Sequence, residues 1–173
     1  ALYRWSDGRL QRMAGDVTVS NGLAFSPDGR TMYWSDTPAH RIYALDFDVA
    51  DGSVSRRRVF AQFPAKAPEQ SLDGYGGRPD GAAVDAEGGY WVAMFEGARL
   101  LRFAADGALT REVPLPVRCP TMPCFGGNDL KTLFITTARE KRPADELAGE
   151  PLSGCVLQLR VAVPGLPANF ASI

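Results

Sequence analysis

Short runs of β-branched and aromatic residues, punctuated by Gly, Pro, Asn and Asp, follow one another along the chain, and helical spacing of apolar positions is scarce. That pattern predicts strands joined by tight turns. The runs also repeat. Asp28-Gly29-Arg30-Thr31-Met32-Tyr33-Trp34-Ser35-Asp36 aligns without a gap on the stretch from Asp129 to Thr137, and the shorter Ala86-Glu87-Gly88-Gly89-Tyr90-Trp91-Val92-Ala93 lies between them. Each is a polar turn feeding an apolar strand.

Another apolar run precedes each turn: Gly22 to Phe25, Gly81 to Val84, and the less regular Met122 to Phe125. A third strand follows, at Arg41 to Leu45, Ala98 to Phe103 and Gly154 to Leu159. After two of these come Asp51-Gly52 or Asp106-Gly107 and a fourth strand. Four antiparallel strands in roughly 40 to 50 residues predict the blade of an all-β propeller. A β-sandwich is the alternative, but aligned Asp-Gly and Tyr-Trp punctuation favours blades.

The N-terminal stretch, with Leu2 to Trp5, Asp7-Gly8 and Arg9-Leu10, matches only the second half of such a unit. The expected division is a half blade at 1–19, blades at 20–63, 78–117 and 120–163, and an insertion from Arg139 to Leu152. This makes about three and a half blades. Because propellers close with about four to eight, the expectation is that 1–173 forms the C-terminal part of one propeller domain or pairs with another copy.

Composition narrows the partners. A chain of 173 residues with 45% hydrophobic content has the size of one domain and can bury roughly 70% of its unfolded surface. A net charge of -1 without long runs of one sign predicts neither nucleic acid nor an anionic membrane as partner. No apolar stretch reaches the roughly 18 to 20 residues of a membrane span, and the first residues lack a signal-peptide layout, so the cytoplasm is the expected compartment. Three cysteines, Cys119, Cys124 and Cys155, are expected to be reduced and mostly buried.

In a propeller the innermost strand of each blade lines the central channel, and the loop leading into it reaches the channel mouth. Those loops read Val19-Ser20-Asn21-Gly22 and Arg78-Pro79-Asp80-Gly81, with Thr121 near the third equivalent position. An amide oxygen and a carboxylate converging there are hard donors for Ca²⁺, Mg²⁺ or Mn²⁺ and acceptable to Zn²⁺. Asn-Gly and Asp-Gly are equally the strongest tight-turn pairs. On pattern alone the turn role carries more weight than the ligand role.

The ordered set Ser20 to Gly29, Tyr33 with Asp36-Thr37, Gly77 to Gly81, Tyr90 to Ala93 and Phe125 to Gly127 resembles the senescence-marker-protein, gluconolactonase and luciferin-regenerating-enzyme (regucalcin-like) family over about Leu2 to Leu166. That resemblance implies a six-bladed ring, one divalent cation at its mouth, and hydrolysis of sugar lactones. It also implies metal ligation by Asn21 and Asp80, with Asp80 as catalytic base. The family's other two ligands, a Glu and a second Asn, have no counterpart here and are expected upstream of Leu2. This chain alone is then expected to be inactive.

Other candidates are weaker. His40 is expected in a solvated loop, and Arg56-Arg57-Arg58 on a solvated edge whose charges discourage strand pairing. Trp34 and Trp91 are expected to pack between blades, and the Glu140 to Glu150 stretch to be a flexible charged excursion. The leading expectation is a metal-dependent lactonase acting on a sugar lactone. The alternatives are a non-catalytic cation- or partner-binding propeller and a hydrolase of another ester class.

Overall fold

The computed structural model describes residues 1–169. Thirteen strands form four separate antiparallel sheets among the described residues, with one six-residue helix. Strands β1 (Leu2–Ser6) and β2 (Arg9–Ala14) make a two-stranded ribbon. The next sheet runs β3 (Ser20–Phe25), β4 (Thr31–Asp36), β5 (Arg41–Phe47), β6 (Val54–Gln62), each strand hydrogen-bonded to the one before it. The third sheet repeats that meander with β7 (Arg78–Val84), β8 (Tyr90–Phe95), β9 (Arg99–Phe103) and β10 (Leu109–Pro114). The fourth has three strands, β11 (Pro120–Gly126), β12 (Thr132–Thr137) and β13 (Val156–Arg160). The helix α1 (Ala144–Gly149) lies between β12 and β13, and no described helix is long and apolar enough to cross a membrane.

Strand alternation explains how the sheets stack. In β8, Tyr90, Val92 and Met94 join Tyr33, Ile42 and Leu101 in one core layer, whereas Trp91 and Ala93 join Leu133 and Ile135 in another. A side-chain period of two thus supplies both neighbours of a central strand. In β4 likewise, Tyr33 faces the sheet carrying β8, and Met32 and Trp34 pack beside Val17 toward the β1–β2 ribbon. Trp34 and Trp91 are buried, each donating its indole N–H, to Ser20 Oγ at 2.6 Å and to Asp85 Oδ2 at 2.9 Å. Burying a ring of that size contributes at most about 4 to 6 kcal/mol. Both tryptophans occupy the expected packing role.

Polar groups fasten the layers at specific points. Asp85, fully buried, accepts from the Glu87 and Gly89 backbone N–H groups, from Trp91, and from Arg102 Nε at 2.7 Å. Arg57 donates to both oxygens of Asp16 and so ties β6 to the segment after β2. Of the basic trio, Arg56 and Arg58 both pair with Asp46.

Two local expectations need correction. Only Cys119 is buried, while Cys124 is exposed because alternation in β11 turns it off the packed face, and Cys155 is exposed in the turn before β13. The 139–152 stretch is not a loose excursion. Arg142 joins Glu96 at 3.0 Å and Glu146 at 2.6 Å with about nine-tenths of its side chain buried, and Glu150 accepts the backbone N–H of Arg118 at 2.7 Å. These contacts bind the insertion to the loop after β8 and to the approach to β11.

Candidate functional site

The three strands β3, β7 and β11 lie side by side and share one irregularity. Pairing with the next strand slips by one residue between Asn21 and Ala24, between Pro79 and Ala82, and between Pro120 and Met122. Asp80 and Thr121 therefore lie within β-bulges and Asn21 borders one, a device that bends a strand and redirects side chains. The backbones approach closely there. A Cβ on Gly22 would lie 3.0 Å from the Asp80 carbonyl oxygen, and one on Gly81 2.6 Å from that of Thr121. Gly22 also has φ +56 and stands beside the Tyr90 hydroxyl, which donates to the Gly22 carbonyl at 2.8 Å. Glycine meets both demands, since it tolerates positive φ and leaves room for the neighbouring strand.

The Asn21 amide has a fixed direction. Thr37 Oγ1 spends its only proton on the Pro79 carbonyl at 2.8 Å, so it must accept from Asn21 Nδ2 at 3.1 Å. Among the described residues Asn21 Oδ1 has no hydrogen-bond partner, which leaves it available to a ligand. Asp80 is half-buried, and burial pushes its carboxyl from 3.8 up to about 6, against the opposing pull of Arg78. No hydrogen bond reaches that carboxylate among the described residues. A desolvated carboxylate without donors favours an incoming cation or a proton. Thr121 differs: its hydroxyl shares a hydrogen bond with Thr136 Oγ1 at 2.7 Å.

Asn21 Oδ1 and the Asp80 carboxylate are hard oxygen donors of the kind a divalent cation takes, so the residues present fit such an ion in type. They fall short in number, since Ca²⁺ takes about six to eight oxygens. No group of three Asp, Glu, His or Cys side chains suited to a metal occurs among the described residues.

Around this end of β7 lies a polar surround that pattern reading left out. Arg78 Nη2 meets Glu96 Oε2 at 3.2 Å, and the other Glu96 oxygen meets Arg142. His40 is buried rather than solvated, its ring held between the Pro38 carbonyl at 3.0 Å and the Tyr75 hydroxyl at 2.5 Å. Because a carbonyl can only accept, Nδ1 carries the proton and Nε2 accepts from Tyr75. With both nitrogens engaged, His40 secures the 64–77 segment against the loop after β4. Tyr75 and Glu96 carried no repeat signal. The only hint was position, since Glu96 follows β8 where its end meets the start of β7.

Residues 1–139 match the family model of the SMP-30/Gluconolactonase/LRE-like region. The chain belongs to this family. Within the SMP-30/gluconolactonase family it is 52% identical over 160 residues to the 6-deoxy-6-sulfogluconolactonase of Pseudomonas putida, covering 92% of this chain and 52% of that protein. It is 36% identical over 170 residues to regucalcin of Danio rerio, covering 96% and 55%. A crystal structure of a calcium-binding protein, regucalcin, from Agrobacterium tumefaciens superposes with a TM-score of 0.83 at 28% identity, covering 95% of this chain and 53% of that one. The chain spans about half the length of the relatives it matches.

Proposed function

We propose that this chain supplies about three and a half blades of a six-bladed ring that opens sugar lactones, with one divalent cation held at the channel mouth by Asn21 and Asp80. The observation that carries the reading is the Asp80 carboxylate, half-buried at a bulge with its proton affinity raised to about 6 and no hydrogen-bond donor of its own. A base with a value in this range holds its charge at neutral pH and still accepts a proton readily. The 52% identical relative, named a 6-deoxy-6-sulfogluconolactonase, supports a sugar lactone as the substrate class.

When bound, the cation would supply Lewis-acid polarisation of the lactone carbonyl. Asp80 takes a proton from the attacking water as the water oxygen bonds to C1; the C1–O ring bond then breaks, the proton passes from Asp80 to the released ring oxygen, and a hydroxy acid leaves. Asn21, its amide nitrogen held by Thr37, which itself donates to the Pro79 carbonyl, would offer its amide oxygen to the ion without reorganising.

The test uses the full-length protein with Ca²⁺, Zn²⁺, Mn²⁺ or Mg²⁺ and follows acid release from aldonolactones. Asp80→Ala should abolish turnover with the fold retained, and Asn21→Ala should weaken cation binding measured by calorimetry. Turnover that survives Asp80→Ala removes its assigned role. A second reading, a ring that binds a cation without catalysis, is favoured by the calcium-binding description of the regucalcin neighbour. Cation binding without acid release from any lactone or ester selects it.

A further inference from the structure

We propose that Arg78 sets substrate specificity, its guanidinium receiving a sulfonate or phosphate carried by the sugar lactone at the end of the molecule away from the reacting carbonyl. This rests on the lactonase reading above. Arg78 and Asp80 are two residues apart on β7; Arg78 pairs with Phe95, and the bulge between Pro79 and Ala82 leaves Asp80 opposite Ala93, so both stand on the face that Phe95 and Ala93 share, while Pro79, opposite Met94, stands on the other. The positive charge of Arg78 acts on Asp80 and also on Tyr75.

What holds Arg78 leaves it competent to bind. Its guanidinium lies 5.1 Å from the centre of the Phe95 ring and makes one ion pair, through Nη2, with Glu96. About 35% of the side chain remains exposed. Among the described residues its Nε and Nη1 donors have no hydrogen-bond partner. Glu96 does not neutralise it fully, because the same carboxylate also serves Arg142. The neighbouring arginines are spent on structure: Arg142 on Glu96 and Glu146, and Arg118 on the Leu72 carbonyl. Arg78 is thus a pre-oriented fork on the face of the candidate base, and a planar guanidinium matches the oxygens of a tetrahedral anion in pairs. The relative at 52% identity is named for a lactone that carries a sulfonate.

The experiment compares gluconolactone, 6-deoxy-6-sulfogluconolactone and 6-phosphogluconolactone as substrates of the full-length protein and of Arg78→Gln and Arg78→Lys. The wild type should prefer an anionic lactone, and the larger preference identifies sulfonate or phosphate as the recognised group. In Arg78→Gln the ratio of kcat/KM for that lactone over the neutral one should fall at least about tenfold, chiefly through KM. Arg78→Lys, which keeps charge but loses the fork, should fall between, and it carries the test alone if the glutamine variant does not fold. A wild type without anionic preference, or a ratio unchanged in the folded variants, overturns the assignment. A wild type that opens none of the three lactones refutes instead the lactonase reading beneath it.

Discussion

Asparagine at position 80 should make the cation-free protein more stable while ending turnover. The Asp80 carboxyl lies at about 6 in the folded protein against 3.8 when exposed. The folded state therefore prefers the protonated form: stability is full below pH about 4, is lost as pH rises, and stays reduced above pH about 6. The full difference corresponds to about 3 kcal/mol, and discounting for partial exposure leaves about 1 to 2 kcal/mol. Asp80→Asn keeps the shape and removes the charge, so in chelator at pH 7.5 its melting temperature should exceed the wild type's by about 3 to 6 °C. Near pH 4 that advantage should vanish. Added divalent cation should raise the wild-type melting temperature by mass action and leave the variant nearly unmoved. A variant less stable than wild type in chelator at pH 7.5, or an advantage equal at both pH values, refutes the claim that this carboxylate is desolvated and unpaired.

Three further outcomes follow from the packing. Asp85→Ala strands Arg102 and the Trp91 N–H without their acceptor and should cost about 3 to 5 kcal/mol in urea unfolding, whereas the surface variant Asp106→Ala should stay within about 0.5 kcal/mol. Gly22→Ala forces a side chain into a positive-φ site against Ser35 and Tyr90; a loss of about 1 to 3 kcal/mol is expected, and a neutral result would deny the close approach. Arg142→Met removes the side chain that joins Glu96 to Glu146, leaving Glu96 to Arg78 and Glu146 only to the more distant Arg118, so limited proteolysis should cut first within 139–152; since Arg142 holds the Glu146 carboxyl below its ordinary value of 4.5, that protection in the wild type should weaken as pH falls below about 4.5. Unchanged cleavage sites would count against the anchoring.

Strand pattern and turn chemistry made the sheets legible. The alternation in Tyr90 to Met94 and the repeated Asp-Gly turns are local signals with one structural solution. The resemblance picked out Asn21 and Asp80, but the bulges that set them apart from ordinary turns were invisible, because a bulge changes pairing between strands rather than the composition of either. His40 was misjudged for a similar reason. Its partner Tyr75 lies 35 residues away in a segment outside the repeat, and only tertiary contact shows that the pair is buried. The 139–152 stretch reads as polar and charged, yet Arg142, Glu146 and Glu150 are satisfied by one another and by Glu96 and Arg118 in loops distant in sequence.

The bulge that recurs in β3, β7 and β11 separates architecture from chemistry. The backbone defect fixes where each side chain emerges, while the stacking of the sheets depends on the strands behind it. Amide, carboxylate and hydroxyl can therefore stand at this end of the three strands without altering the frame, and the chemistry presented there becomes a matter of which residue fills each seat.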